Sequence, residues 1–308
     1  MVKDGYCLAS QEIRRMVKDG VILGDIKEDN IQPSSFEPTI GEDCFIIDTK
    51  EGLFRPKWDT SIWHSLSELP SRQKQRVDIS DGFEIKQGAS YLFPLNEKIT
   101  NSDTFRFIKS SSKSSVGRVF PNIRLLTDYN ASFDEVNNFS TNTDLMSWLL
   151  VQPLTFDLIV GPGLSFNQMR FFQGYNAQLN VMEIIKGWEE RPLLYNKDLE
   201  DKLGEPCSPR ISEALQLHLD LESYGTNGIV ALMARRNPNA IDLRKNGKYI
   251  PEEFFEPIES KNGSMVIEPR EHYLLSSKEV LKMPSNINSE LRSYSHQGMN
   301  AILHRAGF

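Results

Sequence analysis

The sequence predicts a mainly β protein with a few short helices, and three observations point there. Short apolar stretches rich in β-formers run from Phe36 to Ile47 and from Phe83 to Phe93, broken by Gly, Asp and Pro. In ALQLHLDLE, starting at Ala214, Leu215, Leu217, Leu219 and Leu221 alternate with Gln216, His218, Asp220 and Glu222, the period of a half-buried strand. The chain also repeats itself. FEIKQGASYLFPLNEKI at 83–99 has a counterpart in MVIEPREHYLLSSKEVL at 265–281, with Tyr91 and Tyr273, and likewise Glu97 and Glu279, 182 residues apart. Upstream, QPSSFEPTIG at 32–41 aligns with NPNAIDLRKNG at 237–247, Pro33 with Pro238 and Glu37 with Asp242.

Taken in order, Ser10 heads SQEIRRMVKDG, where Ile13, Met16 and Val17 share one helical face and Gly20 supplies a stop, so a short amphipathic helix opens the chain. Residues 51–80, with Trp58, Trp63 and a basic SRQKQR, form an insertion or a long excursion between strands. The most hydrophobic stretch, LMSWLLVQPLTFDLIVGPGLSF from Leu145, is broken by Gln152, Pro153, Asp157 and a Gly-Pro-Gly turn. It reads as buried strands and not as a membrane span. WEERPLLYNKDLEDKLGEPCSPR is charged, proline-containing and partly helical in pattern, and marks a connection. His218, on the polar side of its alternation, reads as a solvated side chain. The resulting organisation is a first domain over 1–182, a connecting segment over 183–210 and a second domain over 211–308.

Composition narrows the function. The 308 residues are 39% hydrophobic and 25% charged, ordinary for a globular chain of two domains. A net charge of −7 and a pI near 5.4 give no general attraction for nucleic acid or an anionic membrane, so an anionic ligand needs a local cluster of donors. Cys7, Cys44 and Cys207 lie far apart, with no CxxC and no neighbouring His at ligand spacing. That argues against zinc and against a disulfide framework, and for reduced thiols in a cytoplasmic protein. The N-terminus lacks the apolar core of a signal peptide.

VKDGVI, IQPSSFEPTIG, SYLFPLNEKI, KSSVGR and LSFNQMRF follow one another in an order that resembles the dCTP deaminase and dUTPase superfamily. RLLTD, GKYIPEEFFEPI, EHYLLSSKEVLKMP and HRAGF make nearly the whole chain similar to the two-domain bacterial dCTP deaminase type. The resemblance implies tandem dUTPase-like distorted antiparallel β-barrels, the second one C-terminally incomplete. It also implies nucleotide sites assembled between neighbouring domains or subunits of a homo-oligomer, a trimer.

A nucleoside triphosphate carries about four negative charges and needs closely placed N–H and O–H donors with a fixed cation. Lys113, Ser114, Ser115, Gly117 and Arg118 supply that set: two hydroxyls, two cations and a glycine that permits close backbone approach. By resemblance, Ser114 and Arg118 hold the motif's catalytically important positions, with Arg118 reaching a neighbouring subunit's site. Arg124 and Asp128 of NIRLLTD match an Arg and an Asp of the two-domain type. Asp128 could accept from a sugar hydroxyl or an exocyclic amine with Arg124 beside it, or the two could form a local salt bridge. Gln168 has the amide geometry to read a base edge or a backbone group. The substrate so implied is dCTP, with dUTP or dTTP as related ligands and magnesium carried on the triphosphate.

Hydrolytic deamination needs a base for the attacking water, and the HxE and PCxxC constellation of zinc deaminases is absent. In the resembled family a glutamate does this work without zinc, three residues before a proline that follows the FDxV block. Here Phe133, Asp134, Glu135 and Val136 form the block, but Leu150 stands three before Pro153, and Glu135 and Asp144 do not fit the spacing. In the second repeat SYSHQGMN stands in place of SSxGR, with Asn300 or a neighbour in the arginine's place, and the sequence ends at HRAGF. Three readings follow: a dCTP deaminase, a nucleotide-binding or assembly paralogue without turnover, and a dUTPase.

Overall fold

The structure is a computed structural model that describes residues 5–50, 54–100, 102–137, 144–175, 177–197, 203–222, 228–236, 238–245 and 247–291. The chain forms two compact units. The first takes the residues up to Ala177 together with Asn239–Gly247, and the second takes Gln178–Pro238 and the described residues from Lys248 onward.

In the first unit the opening helix, Ser10–Lys18, buries Ile13 and Met16, the apolar face that the spacing predicts. Glu12 turns back to accept the Ala9 N–H at 2.9 Å, and Gly20 at φ +73° ends the helix. Two six-stranded antiparallel sheets follow. One runs Glu135–Asn137, Phe107–Ser112, Asn167–Gly174, Ser35–Phe36, Ile31–Gln32, with Gly5–Cys7 also on Asn167–Gly174. The other runs Pro121–Thr127, Leu145–Pro153, Ser90–Ile99, Asp43–Ile47, Lys74–Asp78, with Ile22–Leu23 also on Ser90–Ile99. Buried aromatics lie between them, as where the Phe93 and Phe166 rings approach to 6.0 Å. The fold is mainly β, as read from the sequence, but the sheets stay open and no barrel closes among the described residues.

The excursion at 51–80 returns to the sheet. Its helix, Ile62–Glu68, is capped by Ser61, whose hydroxyl accepts the His64 N–H at 3.1 Å. Ile62 and Leu66 are buried in one cluster with Phe45, Ile47, Phe54, Leu92, Leu126 and Trp148. The basic SRQKQR then enters the strand Lys74–Asp78, where Arg76 pairs with Asp43 across the ladder at 2.6 Å.

The segment 239–247 adds Ile241–Asp242 as a short parallel strand beside Leu158–Val160. Arg244 holds it by donating to the Asp81 carbonyl at 2.9 Å and by pairing with Asp242 at 2.8 Å. A Cβ on Gly82 would sit 2.1 Å from the Arg244 guanidinium and displace it, and φ +98° disfavours any side chain there.

The second unit has a helix, Val181–Glu190, closed by a reciprocal Asn180–Glu183 capping box. Two three-stranded antiparallel sheets follow, Leu203–Pro206, Leu194–Lys197, Glu279–Leu281 and Phe255–Glu259, Ile229–Ala234, Tyr273–Leu275. The half-buried strand expected from Ala214 does not form. The stretch makes isolated bridges, Ile211 with Leu215 and Leu219 with Ser277, and its alternation is lost: Leu215, Gln216, Leu217 and Leu221 are all half-buried, His218, Leu219 and Glu222 are exposed, and Asp220 is buried. The reason is local pairing. Asp220 meets Lys197 at 2.8 Å, and His218, expected to be solvated, meets Glu279 at 2.6 Å.

The internal repeat survives in part. Tyr91 accepts the Lys86 N–H at 2.8 Å and Tyr273 accepts the Glu268 N–H at 2.9 Å, each five residues back. Glu97 accepts the N–H and hydroxyl of Thr39, both at 2.8 Å, and Glu279 accepts the N–H of His218 at 3.0 Å and faces its ring. The counterpart of Thr39 is therefore His218. In the aligned blocks 32–41 and 237–247 the acidic residues are bonded differently: Asp242 belongs to the first unit and bonds Arg244, while Glu37 bonds Lys113.

Candidate functional site

SSSKSSVGR is no linker. Its first serines finish the strand Phe107–Ser112, and Ser114–Gly117 forms a single helical turn closed by the Gly117 N–H to the Lys113 carbonyl at 2.8 Å. The Lys113 N–H donates to the Phe166 carbonyl at 2.9 Å, which fixes the turn against the chain entering Asn167–Gly174. Val116 and Gly117 are buried beneath it, Ser114 is half-buried, and Ser115 and Arg118 are exposed.

The donors on this turn divide sharply. Lys113 is engaged, its ammonium 2.5 Å from the buried Glu37 carboxylate. The Ser114 and Ser115 hydroxyls and the Arg118 guanidinium have no partner among the described residues. On the strand leading in, the Ser111 hydroxyl is buried without a hydrogen bond. Ser115 and Arg118 are open to solvent and the donors follow one another on a single turn, so this turn can take an oxygen-rich anion. Sequence reading placed Glu37 in the internal repeat and not at this site, although it lies in the IQPSSFEPTIG block.

The other sequence candidates are already bonded. Gln168 is buried and its Nε2 donates to the Ser112 carbonyl at 3.3 Å. Arg124 and Asp128 do not meet each other. Arg124 pairs with Asp134 at 2.7 Å and lies 5.2 Å from the Phe133 ring centroid. Asp128 is buried and accepts the Ile62 N–H at 2.8 Å, which ties the strand end to the helix of the excursion. Burial pushes the Asp128 carboxyl above its ordinary range, and that N–H offsets the push only in part. Asp134, which sequence placed only in the FDxV block, also accepts the Leu125 N–H at 2.8 Å and stands at φ +61°.

Leu150 lies opposite Arg124 and Leu92 in the sheet and packs, half-buried, on the cluster containing Trp148 and Ile62. Position 150 therefore stands between Arg124 and that apolar cluster, while Glu135 and Asp144 are exposed. Among the described residues no three His, Cys, Asp or Glu gather to hold a metal ion. Burial pushes the Cys44 thiol up to about 12, which leaves it an inert core thiol. No helix among them is long and apolar enough to cross a membrane. Asn300 and the rest of SYSHQGMN, with HRAGF, lie outside the described residues.

Residues 4–175 match the family described as 2'-deoxycytidine 5'-triphosphate deaminase (DCD) N-terminal domain, and residues 191–308 match its C-terminal domain. Among solved structures, 2'-deoxycytidine 5'-triphosphate deaminase from Agrobacterium tumefaciens is similar over 92% of this chain and 78% of that chain, with TM-score 0.79 and 24% identity. That is a likeness of fold. No curated protein matches the chain.

Proposed function

The chain belongs to the 2'-deoxycytidine 5'-triphosphate deaminase family, and on that premise we propose that it binds dCTP at residues 113–118 and deaminates it hydrolytically to dUTP and ammonia. The observation that carries this reading is the set of unengaged donors, Ser114, Ser115 and Arg118, on one tight turn within the matched N-terminal domain. With Lys113 neutralised by Glu37, Arg118 is the turn's available cation. Its planar fork suits two phosphate oxygens, and the hydroxyls suit further ones. Magnesium would enter as part of the substrate, carried on the triphosphate and offsetting its charge.

In this reading water adds to C4 of the cytosine ring, a base takes the water's proton, and the proton passes to the amine as it leaves as ammonia. The base is a carboxylate acting without zinc. Position 150 does not supply it, so it comes from elsewhere in a cytoplasmic homo-oligomer, a trimer in which Arg118 reaches a neighbouring subunit's site.

Leu150 favours a second reading, a protein that binds the nucleotide without turning it over. One experiment separates the two: dCTP and magnesium are added to the purified protein, ammonia and dUTP are assayed, and affinity is measured by calorimetry. Ammonia release that Arg118→Ala abolishes supports deamination. Binding without ammonia, with affinity at least about tenfold weaker in Arg118→Ala, supports the second reading. Absence of dCTP binding sinks both, and pyrophosphate release from dUTP would replace them with a dUTPase.

A further inference from the structure

The first unit has a second concave site, none of whose lining residues belongs to the turn at 113–118. In the sheet containing Ser90–Ile99, Phe45 stands opposite Leu92 and Trp148 opposite Pro94, and paired residues share a face. Leu92 and Pro94 flank Phe93, whose ring meets Phe166 of the other sheet, so this face is the one turned away from that contact. Ile62 and Leu66 are buried in the cluster on it, which leaves Trp63, one position on, at the edge. The Trp63 ring meets Phe45 edge-on at 5.9 Å and stacks towards Trp148 at 6.3 Å, with 25° between the planes. Together with Pro94 and the Asp43–Arg76 pair, these three rings line a cavity of about 180 Å³. Trp148 is 2% exposed and its indole N–H has no hydrogen-bond partner among the described residues, whereas Trp63 is 56% exposed and keeps much of its ring open.

We propose that this cavity binds an uncharged single heteroaromatic ring carrying a hydrogen-bond acceptor, of the class of a pyrimidine base. An apolar cavity of about 150 Å³ takes benzene, so this one has room for one ring. Trp63 and Trp148 supply ring faces, and every base has a face to stack on them. The unpaired Trp148 N–H sets the second requirement, because a ring nitrogen or carbonyl oxygen can accept from it and a hydrocarbon ring cannot. Charge sets the third. Arg76 donates to both Asp43 oxygens, at 3.0 and 2.6 Å, so the rim carries one charge of each sign and favours a neutral ligand. The guanidinium has donors beyond those two and the carboxylate has further lone pairs, which leaves partners for an exocyclic carbonyl or amine. The choice of a pyrimidine rests on the substrate proposed above; the cavity and its demand for an acceptor do not.

Calorimetric titration of the full chain with deoxycytidine, which has the base and no phosphate, tests this, with benzene as the ring that lacks an acceptor. Deoxycytidine is expected to bind and to change the tryptophan fluorescence, and benzene to bind at least about threefold more weakly, the scale of one hydrogen bond. Trp63→Leu keeps an apolar side chain at an exposed position but removes the stacking face, and should weaken deoxycytidine about tenfold. Arg118→Ala should leave deoxycytidine binding unchanged. No deoxycytidine binding, equal affinity for benzene, an unaltered affinity in Trp63→Leu, or an equal loss in Arg118→Ala each overturns the ring site. Binding of dCTP without binding of deoxycytidine overturns it while the proposed function stands. Deoxycytidine binding that depends on Trp63, with dCTP binding indifferent to Arg118→Ala, upholds the ring site and removes the phosphate turn.

Discussion

Glu97 in the first unit and Glu279 in the second each accept one backbone N–H and face one side chain from a segment about sixty residues earlier, yet their settings differ. Glu97 is 3% exposed and its partner Thr39 is a neutral donor; Glu279 is 9% exposed and its partner His218 is half in water. What the two copies share is the backbone capture, an N–H that has to be paired whatever side chain stands there. The side chain is free to differ, and with it the depth of burial and the response to pH. The shared part sets the fold, and the variable part sets its conditions.

Removing each carboxylate should expose that difference. Glu97→Ala leaves a buried N–H and a hydroxyl without an acceptor, so a stability loss of about 3 kcal/mol is expected in urea denaturation. Glu279→Ala leaves groups that water reaches, and about 1 kcal/mol is expected. Equal losses would mean that burial does not distinguish the two clamps.

A smaller effect, of opposite sign in the two units, is expected on acidification. Burial raises the Glu97 carboxyl above its ordinary value, a push that Thr39 only partly offsets. With the folded value above the unfolded one, its contribution to stability is present at low pH and is lost as pH rises through the folded value. For Glu279 burial also pushes upward, but the His218 N–H and ring outweigh it and the carboxyl is held below the ordinary 4.5. Its contribution is present above that value and is lost as pH falls through the folded one. Exchange measured between about pH 6 and about pH 3.5 should therefore show the second unit's clamp opening first. The smallest effect is expected from Asp128→Asn, which keeps an oxygen for the Ile62 N–H: under about 1 kcal/mol in the same denaturation assay.

Much of the site was legible because its signal is local. The order Lys113, Ser114, Ser115, Gly117, Arg118 announces a donor-rich turn, and the structure leaves three of those side chains unengaged. The partners of Asp128 and Lys113 were not legible, since Ile62 and Glu37 lie 66 and 76 residues away in sequence. Nor does a barrel closure follow from strand count, because it depends on which edges pair.

By itself the sequence settled the mainly β class, the opening helix, the buried strands from Leu145, and the match of Tyr91 and Glu97 with Tyr273 and Glu279. Those depend on periodicity and on residues acting over a few positions, where backbone geometry leaves few options. Only the tertiary structure decided which side chains of ALQLHLDLE are buried. Alternation places the polar ones in water by default, but Lys197 stands in for that water at Asp220 and buries it, while His218 and Glu222 stay exposed. The same kind of choice at a distance engaged Lys113 and left Arg118 available, because a charge on the turn is free only where no carboxylate folds back to meet it.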